Sequence, residues 1–185
     1  LEEERDRILP LVEKIHKNID VVISIDTSSP EIMLEGAEAG AGLINDVRAL
    51  QKSGAIGAVN KCKLPVCLMH MQGSPATMHE KPSYENLIHD ILYFLEERIS
   101  ACTSAGIKRN KIIIDPGFGF GKTLTHNLTI LNKLNDFQSL NLPVLAGMSR
   151  KSMIGEVINK PAEQRVSASV ALAIVAWQAG AQFIR

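Results

Sequence analysis

Six short apolar runs recur along the chain: Val21-Val22-Ile23-Ser24-Ile25, Leu43-Ile44, Val66-Cys67-Leu68-Met69, Ile112-Ile113-Ile114, Val144-Leu145-Ala146 and Phe183-Ile184. Continuous rather than alternating hydrophobicity over so few residues marks a strand buried on both faces, the usual condition of a parallel sheet. Around these runs the pattern lengthens to a helical period, from about Glu2 to Lys17, from Tyr84 to Ala105 and from Pro161 to Ala179. Ala39-Gly40, Ala105-Gly106 and Ala179-Gly180 stand where a helix should give way to the next strand. Glycine takes the left-handed cap there without steric cost. The alternation predicts an α/β fold.

Each run stops at polar residues: Asp26, Asn45 with Asp46, His70, Asp115, Ser149 with Arg150, and Arg185. Right-handed crossovers would bring all these ends out on one face. A mouth lined from so many strands favours a (β/α)8 TIM barrel over an open doubly wound sheet, whose site gathers at one crevice. A barrel needs eight strands and usually about 250 residues. The 185 residues here, with six strand runs, are therefore expected to be a partial chain. They would lack about the first two strands and the last helix, and form a single, incomplete barrel domain. Two open parallel edges would leave such a piece poorly stable and inactive by itself.

Composition narrows the function classes. A hydrophobic content of 45% supports a core, and 20 basic residues balance 20 acidic ones. No nucleic-acid or anionic-membrane partner is implied. The longest apolar run, Val170 to Trp177, is far short of the roughly 18 residues of a membrane span, and no signal-peptide pattern precedes the first helix. Cys62, Cys67 and Cys102 have no framework spacing, which points to free thiols and the cytoplasm. Cys67 and His70 are spaced like metal ligands but lack a second pair, and packing is the better reading.

The stretch Asp115-Pro116-Gly117-Phe118-Gly119-Phe120-Gly121-Lys122-Thr123 looks like a phosphate loop and is not one. The required first glycine falls on Pro116, which has no amide hydrogen to offer an anion. A dinucleotide fingerprint would need glycine at Lys122. The glycines must bring backbone close to some other ligand.

The motifs Ser24-Ile25-Asp26-Thr27-Ser28, Ile44-Asn45-Asp46-Val47 and Cys67-Leu68-Met69-His70-Met71-Gln72-Gly73 are joined by Asp115 to Lys122 and by Gly147-Met148-Ser149-Arg150-Lys151-Ser152. Together, and in this order, they closely resemble dihydropteroate synthase, the sulfonamide-inhibited enzyme of folate biosynthesis. The last two motifs separate that family from related methyltransferases that use folates or pterins. A non-catalytic pterin-binding homologue remains an alternative.

The resemblance implies a transferase that condenses 6-hydroxymethyl-7,8-dihydropterin pyrophosphate with p-aminobenzoate, releasing pyrophosphate, with Mg2+ as cofactor. It implies small-molecule substrates and a homodimer at full length. Asp26, Asn45, Val47, Met69, Asp115 and Lys151 match pterin-pocket positions. Phe120, Ser149 and Lys151 match positions near p-aminobenzoate, and Arg185 matches a pyrophosphate-binding arginine. The expected Mg2+ ligand would lie in a segment before this chain, so no metal ligand is assigned here.

Chemistry fits these roles. A buried carboxylate accepts the adjacent N–H donors of an aminopyrimidine in parallel, Asn45 can both donate and accept, and Lys151 can reach a carbonyl oxygen. Each position also has a plain alternative. Asp115 could cap the following turn, Asn45 could close one, and Asp26 could cap a helix in place of Ser28 or Ser29. Asp46 is expected to face a structural partner. Lys122 is expected, with Phe120, to be available to the second substrate. His70, Met71 and Met148 are expected to pack, and His16, His79, His89 and His126 to lie on the surface without partners.

Overall fold

Glu2, Glu3 and Glu4 crowd the first turn of α1 (Glu2–Asn18) while His16 and Lys17 occupy its last, the charge order a helix dipole favours. The computed structural model describes residues 1–73 and 82–185. These form two units, Leu1–Met69 with Glu97–Ile113, and His70–Glu96 with Ile114–Arg185.

In the first unit α1 is followed by β1 (Ser24–Asp26), α2 (Pro30–Glu38), β2 (Leu43–Asp46), α3 (Ala55–Cys62) and β3 (Val66–Met69). The sheet order is β1-β2-β3-β4, where β4 is Ile112–Asp115, and the first two pairings are parallel. Ile25, Ile44, Val66 and Leu68 are buried within it. The register sets Asp26 beside Asn45. The first run is shorter than its apolar length suggests. Val21 and Val22 are 56% and 76% exposed, because pairing begins only at Ser24 with Leu43.

α4 (Leu87–Ser104) carries the chain between the units and starts three residues after Tyr84, whose hydroxyl instead donates to Gly121 O. In the second unit come α5 (Leu124–Asn132), a 3-10 segment at Leu134–Leu140, β5 (Leu145–Ala146), α6 (Ser152–Ile158), α7 (Val166–Gln178) and β6 (Phe183–Ile184). β5 and β6 pair in parallel, and Ile114 makes a parallel bridge to Val144. The helix expected from Pro161 begins only at Val166. Before it runs a 3-10 turn, Ala162–Gln164, and Arg165 donates from its guanidinium to Lys160 O, Arg150 O and Lys151 O.

Gly40, Gly106 and Gly180 all have positive φ, as the Ala-Gly pairs predict. Among the described residues no helix is long and apolar enough to cross a membrane. No disulfide joins the three cysteines, and Cys67 is fully buried in β3, in keeping with packing.

Candidate active site

Two of the predicted pterin residues meet in the first unit. Asn45 Nδ2 donates to Asp26 Oδ2 at 2.8 Å, across the aligned ends of β1 and β2. That bond fixes the amide's orientation and turns Oδ1 the other way. Asn45 is 3% exposed, and its Oδ1 has no hydrogen-bond partner among the described residues. An unsatisfied buried acceptor costs about 1–3 kcal/mol, so a ligand donor is the natural completion. Asp26 does not cap α2, whose N-cap position is Ser29. Thr27 Oγ1 accepts the Ser29 N–H instead.

Asp46 is structural, as its neighbour's motif implied. Its Oδ1 accepts from Ser28 Oγ and Arg48 N, and its Oδ2 from Leu50 N. Val47 is half-buried just beyond β2, and Met69 is fully buried at the end of β3.

The second unit holds the glycine loop. Asp115 is 1% exposed, and its Oδ1 accepts the Gly117 N–H at 2.7 Å. That bond is the turn cap foreseen as an alternative; it also sets the plane of the carboxylate. Burial pushes the Asp115 carboxyl above the usual carboxylate range, while the Gly117 N–H and the charges of Lys151, Arg185 and Lys122 pull it back.

The loop is held almost residue by residue. Gly119 N donates to Asn127 Oδ1, Tyr84 Oη to Gly121 O, and Lys151 Nζ to Phe118 O. Lys151 Nζ also stands 4.7 Å from the centroid of the Phe120 ring, a cation–π contact that leaves Phe120 half-buried. Arg185 lies across Gly147, where an added Cβ would sit 3.2 Å from its Nε. Ser149 and Arg185 line a cavity of about 290 Å³ with Met148, Val170 and Ile184. The second unit thus gathers Asp115, Phe120, Ser149, Lys151 and Arg185.

Lys122 departs from expectation. It is buried, and Nζ bonds His70 Nδ1 at 3.0 Å, Phe120 O at 3.0 Å and His70 O at 3.4 Å. With its donors engaged inside the fold, it is not offered to a second substrate. Sequence reasoning missed this tie, and the surviving signal was only His70 following the end of β3, since Lys122 lies in the loop beyond β4.

His70 packs, as expected, with its ring edge-on to Phe94 at 5.0 Å. Burial, then the neighbouring Lys122, lower its pKa from 6.5 to about 3. The unfolded chain takes up this proton near 6.5 and the folded chain only near 3, so between those values the unfolded state binds more protons and stability rises with pH. Thermal melts should therefore move to lower temperature as pH falls from about 6.5 towards 4, and His70→Gln should flatten that slope.

His126 is not a bare surface residue: it completes the capping box of α5 with Thr123, and its ring meets Tyr84 edge-on. His89 stacks on Tyr93, and His16 covers Gly40. His79 lies outside the described residues. Met148 is buried as expected, and Met71 is half-buried.

The profile of the family described as "Pterin binding enzyme" matches residues 1–185. The chain belongs to this pterin-binding enzyme family. It is 48% identical over 185 residues to the dihydropteroate synthase of Escherichia coli (strain K12), covering all of this chain and 66% of that protein. It is 50% identical over 184 residues to the dihydropteroate synthase of Haemophilus influenzae, covering 67% of it. A crystal structure of Yersinia pestis dihydropteroate synthase with a sulfonamide drug complex superposes with a TM-score of 0.98 at 50% identity, over all of this chain and 67% of that one. The resemblance read from the motifs thus holds along the whole chain. The fold class follows with it, α/β with parallel strands of the TIM-barrel type. The chain spans 66% of the length of the Escherichia coli relative.

Proposed function

We propose that the full-length protein is a dihydropteroate synthase. It joins the amine of p-aminobenzoate to the exocyclic methylene of 6-hydroxymethyl-7,8-dihydropterin pyrophosphate, giving 7,8-dihydropteroate and pyrophosphate. The observation that carries the reading is the buried Asp115 carboxylate, its plane fixed by Gly117 N–H at the head of a loop clamped on every side. Such a group takes paired N–H donors, as the aminopyrimidine edge of a pterin presents.

We assign Asp26, Asn45, Val47 and Met69 to the pterin on the family's motifs; Asn45 Oδ1, buried and without a partner among the described residues, is an acceptor suited to an N–H donor. We assign Lys151, held beside Phe120, to a pterin carbonyl or the carboxylate of p-aminobenzoate, and Phe120 and Ser149 to p-aminobenzoate, on the family's motifs. Arg185 receives the pyrophosphate through its planar fork.

The arylamine is neutral at pH 7 and attacks through its lone pair, so no strong general base is needed. The new C–N bond forms as the methylene C–O bond to pyrophosphate breaks, and the amine proton passes to solvent. The energetic task is the leaving charge, which fixed cations stabilise without reorganising. Among the described residues no group of three or more His, Cys, Asp or Glu side chains is placed to hold a metal ion. Mg2+ belongs to the proposal, where it would offset the negative charge of the pyrophosphate.

A homodimer, a cytoplasmic location and one barrel domain belong to the same proposal, on the resemblance. Val166, Val170, Ile174 and Trp177 on α7 are all at least half exposed, and a partner copy is one way to cover them.

The test is complementation. The full-length gene should restore growth without folate end products to a bacterium lacking its own synthase, and sulfonamide should abolish that growth. Failure to complement, with the protein soluble and expressed, would remove the proposal.

A further inference from the structure

Lys122 lies outside the substrate contacts just described, yet it is the one buried lysine among the described residues. Its three acceptors use all three N–H bonds of an ammonium. An ammonium meets all three when His70 is neutral, its Nδ1 accepting and its proton on Nε2. A neutral amine has two N–H bonds for the two carbonyl oxygens and a lone pair, which fits only when a His70 Nδ1–H donates to it, so the His70 tautomer tells the two states apart.

Two of the acceptors belong to His70, beyond the end of β3, and the third is Phe120 O in the glycine loop. Gly117 makes the approach possible. A Cβ there would sit 1.9 Å from His70 O and 3.3 Å from Lys122 Nζ. His70 N donates in turn to Asp115 O at 2.9 Å, so the same short segment touches both ends of the loop.

We propose that Lys122 is a positioning residue whose ammonium ties His70 to the glycine loop and so holds Phe120 in the arrangement that receives p-aminobenzoate; the substrate part rests on the functional reading above. The titratable groups facing it are His70, Asp115 at the end of β4, Lys151 ahead of α6 and His126 on α5. Burial lowers the Lys122 pKa to about 7, with Asp115 opposing and Lys151 adding to the fall. The tie is complete below neutral pH and loses its proton above it.

Two measurements on the full-length protein test this. The first follows KM for p-aminobenzoate from about pH 6 to about pH 9, where we expect a rise of about tenfold with little change in kcat. Lys122→Met should show the high KM at every pH. His70→Asn, whose Oδ1 can stand where Nδ1 accepts, should stay near the wild type, while His70→Leu should resemble Lys122→Met. A flat wild-type profile, or a pH-dependent KM that survives in Lys122→Met, overturns the proposal.

The second needs no activity. In 15N-histidine spectra His70 should be neutral with Nδ1 unprotonated at about pH 6, and its Nδ1 resonance should shift through about pH 7, the shift vanishing in Lys122→Met. A protonated Nδ1, or an invariant resonance, overturns the tie. If the wild type makes no dihydropteroate at all, the functional reading falls, and these spectra still decide whether the tie exists.

Discussion

Asp115→Asn should weaken binding of 6-hydroxymethyl-7,8-dihydropterin pyrophosphate to the full-length protein by at least about 100-fold, roughly 3 kcal/mol. The substitution preserves volume and can keep the oxygen that Gly117 N–H holds at 2.7 Å. The other terminus becomes an N–H group facing ligand donors, so a charge-assisted bond is replaced by a clash of like dipoles. Hydrogen bonds to charged groups contribute about 1.5–3 kcal/mol each, and the paired arrangement loses more than one. The carboxylate also balances Lys122, Lys151 and Arg185, which all act on it electrostatically. Removing the charge leaves those three cations facing an amide. Calorimetric titration checks the figure, and affinity within about threefold of wild type would contradict the assignment of Asp115 to the pterin.

Gly117→Ala should be the most damaging single change in the loop, costing about 3–5 kcal/mol and lowering the melting temperature by about 10 °C. Gly117 has φ +75°, already unfavourable for an L side chain, and its Cβ would meet the backbone of His70 at 1.9 Å from O and 3.0 Å from C. That backbone cannot swing aside, because His70 N is bonded to Asp115 O. Gly119 offers the contrast. Its φ is +80°, but the nearest atom to an added Cβ is Lys151 Cδ at 3.3 Å, the flexible part of a side chain. Gly119→Ala should cost only about 1 kcal/mol. Equal melting temperatures for the two variants would contradict this reading of the loop.

The strands were legible because a parallel strand buried on both faces reads as an unbroken apolar run. Val66–Met69 is predicted and found with the same bounds. The helices α2, α3, α5 and α6, of seven to nine residues, are too short for their period to stand out. The start of α5 was missed because its capping box uses His126 where the common form has Glu or Gln.

The site was legible where one short stretch carries it, as from Asp115 to Phe120, and where the resemblance assigns a role. Asp46 could be set aside because its neighbour Asn45 filled the motif position. The Lys122–His70 tie joins residues 52 apart. Neither residue's local pattern mentions the other, so Lys122 read as an accessible cation.

Pyrophosphate release by the full-length protein, given 6-hydroxymethyl-7,8-dihydropterin pyrophosphate, Mg2+ and p-aminobenzoate, tests the central claim most directly. The account predicts release that requires p-aminobenzoate, matches dihydropteroate formed one for one, and stops with sulfonamide. No release while the pterin still binds would contradict it, and would leave a pterin-binding homologue without the synthase reaction.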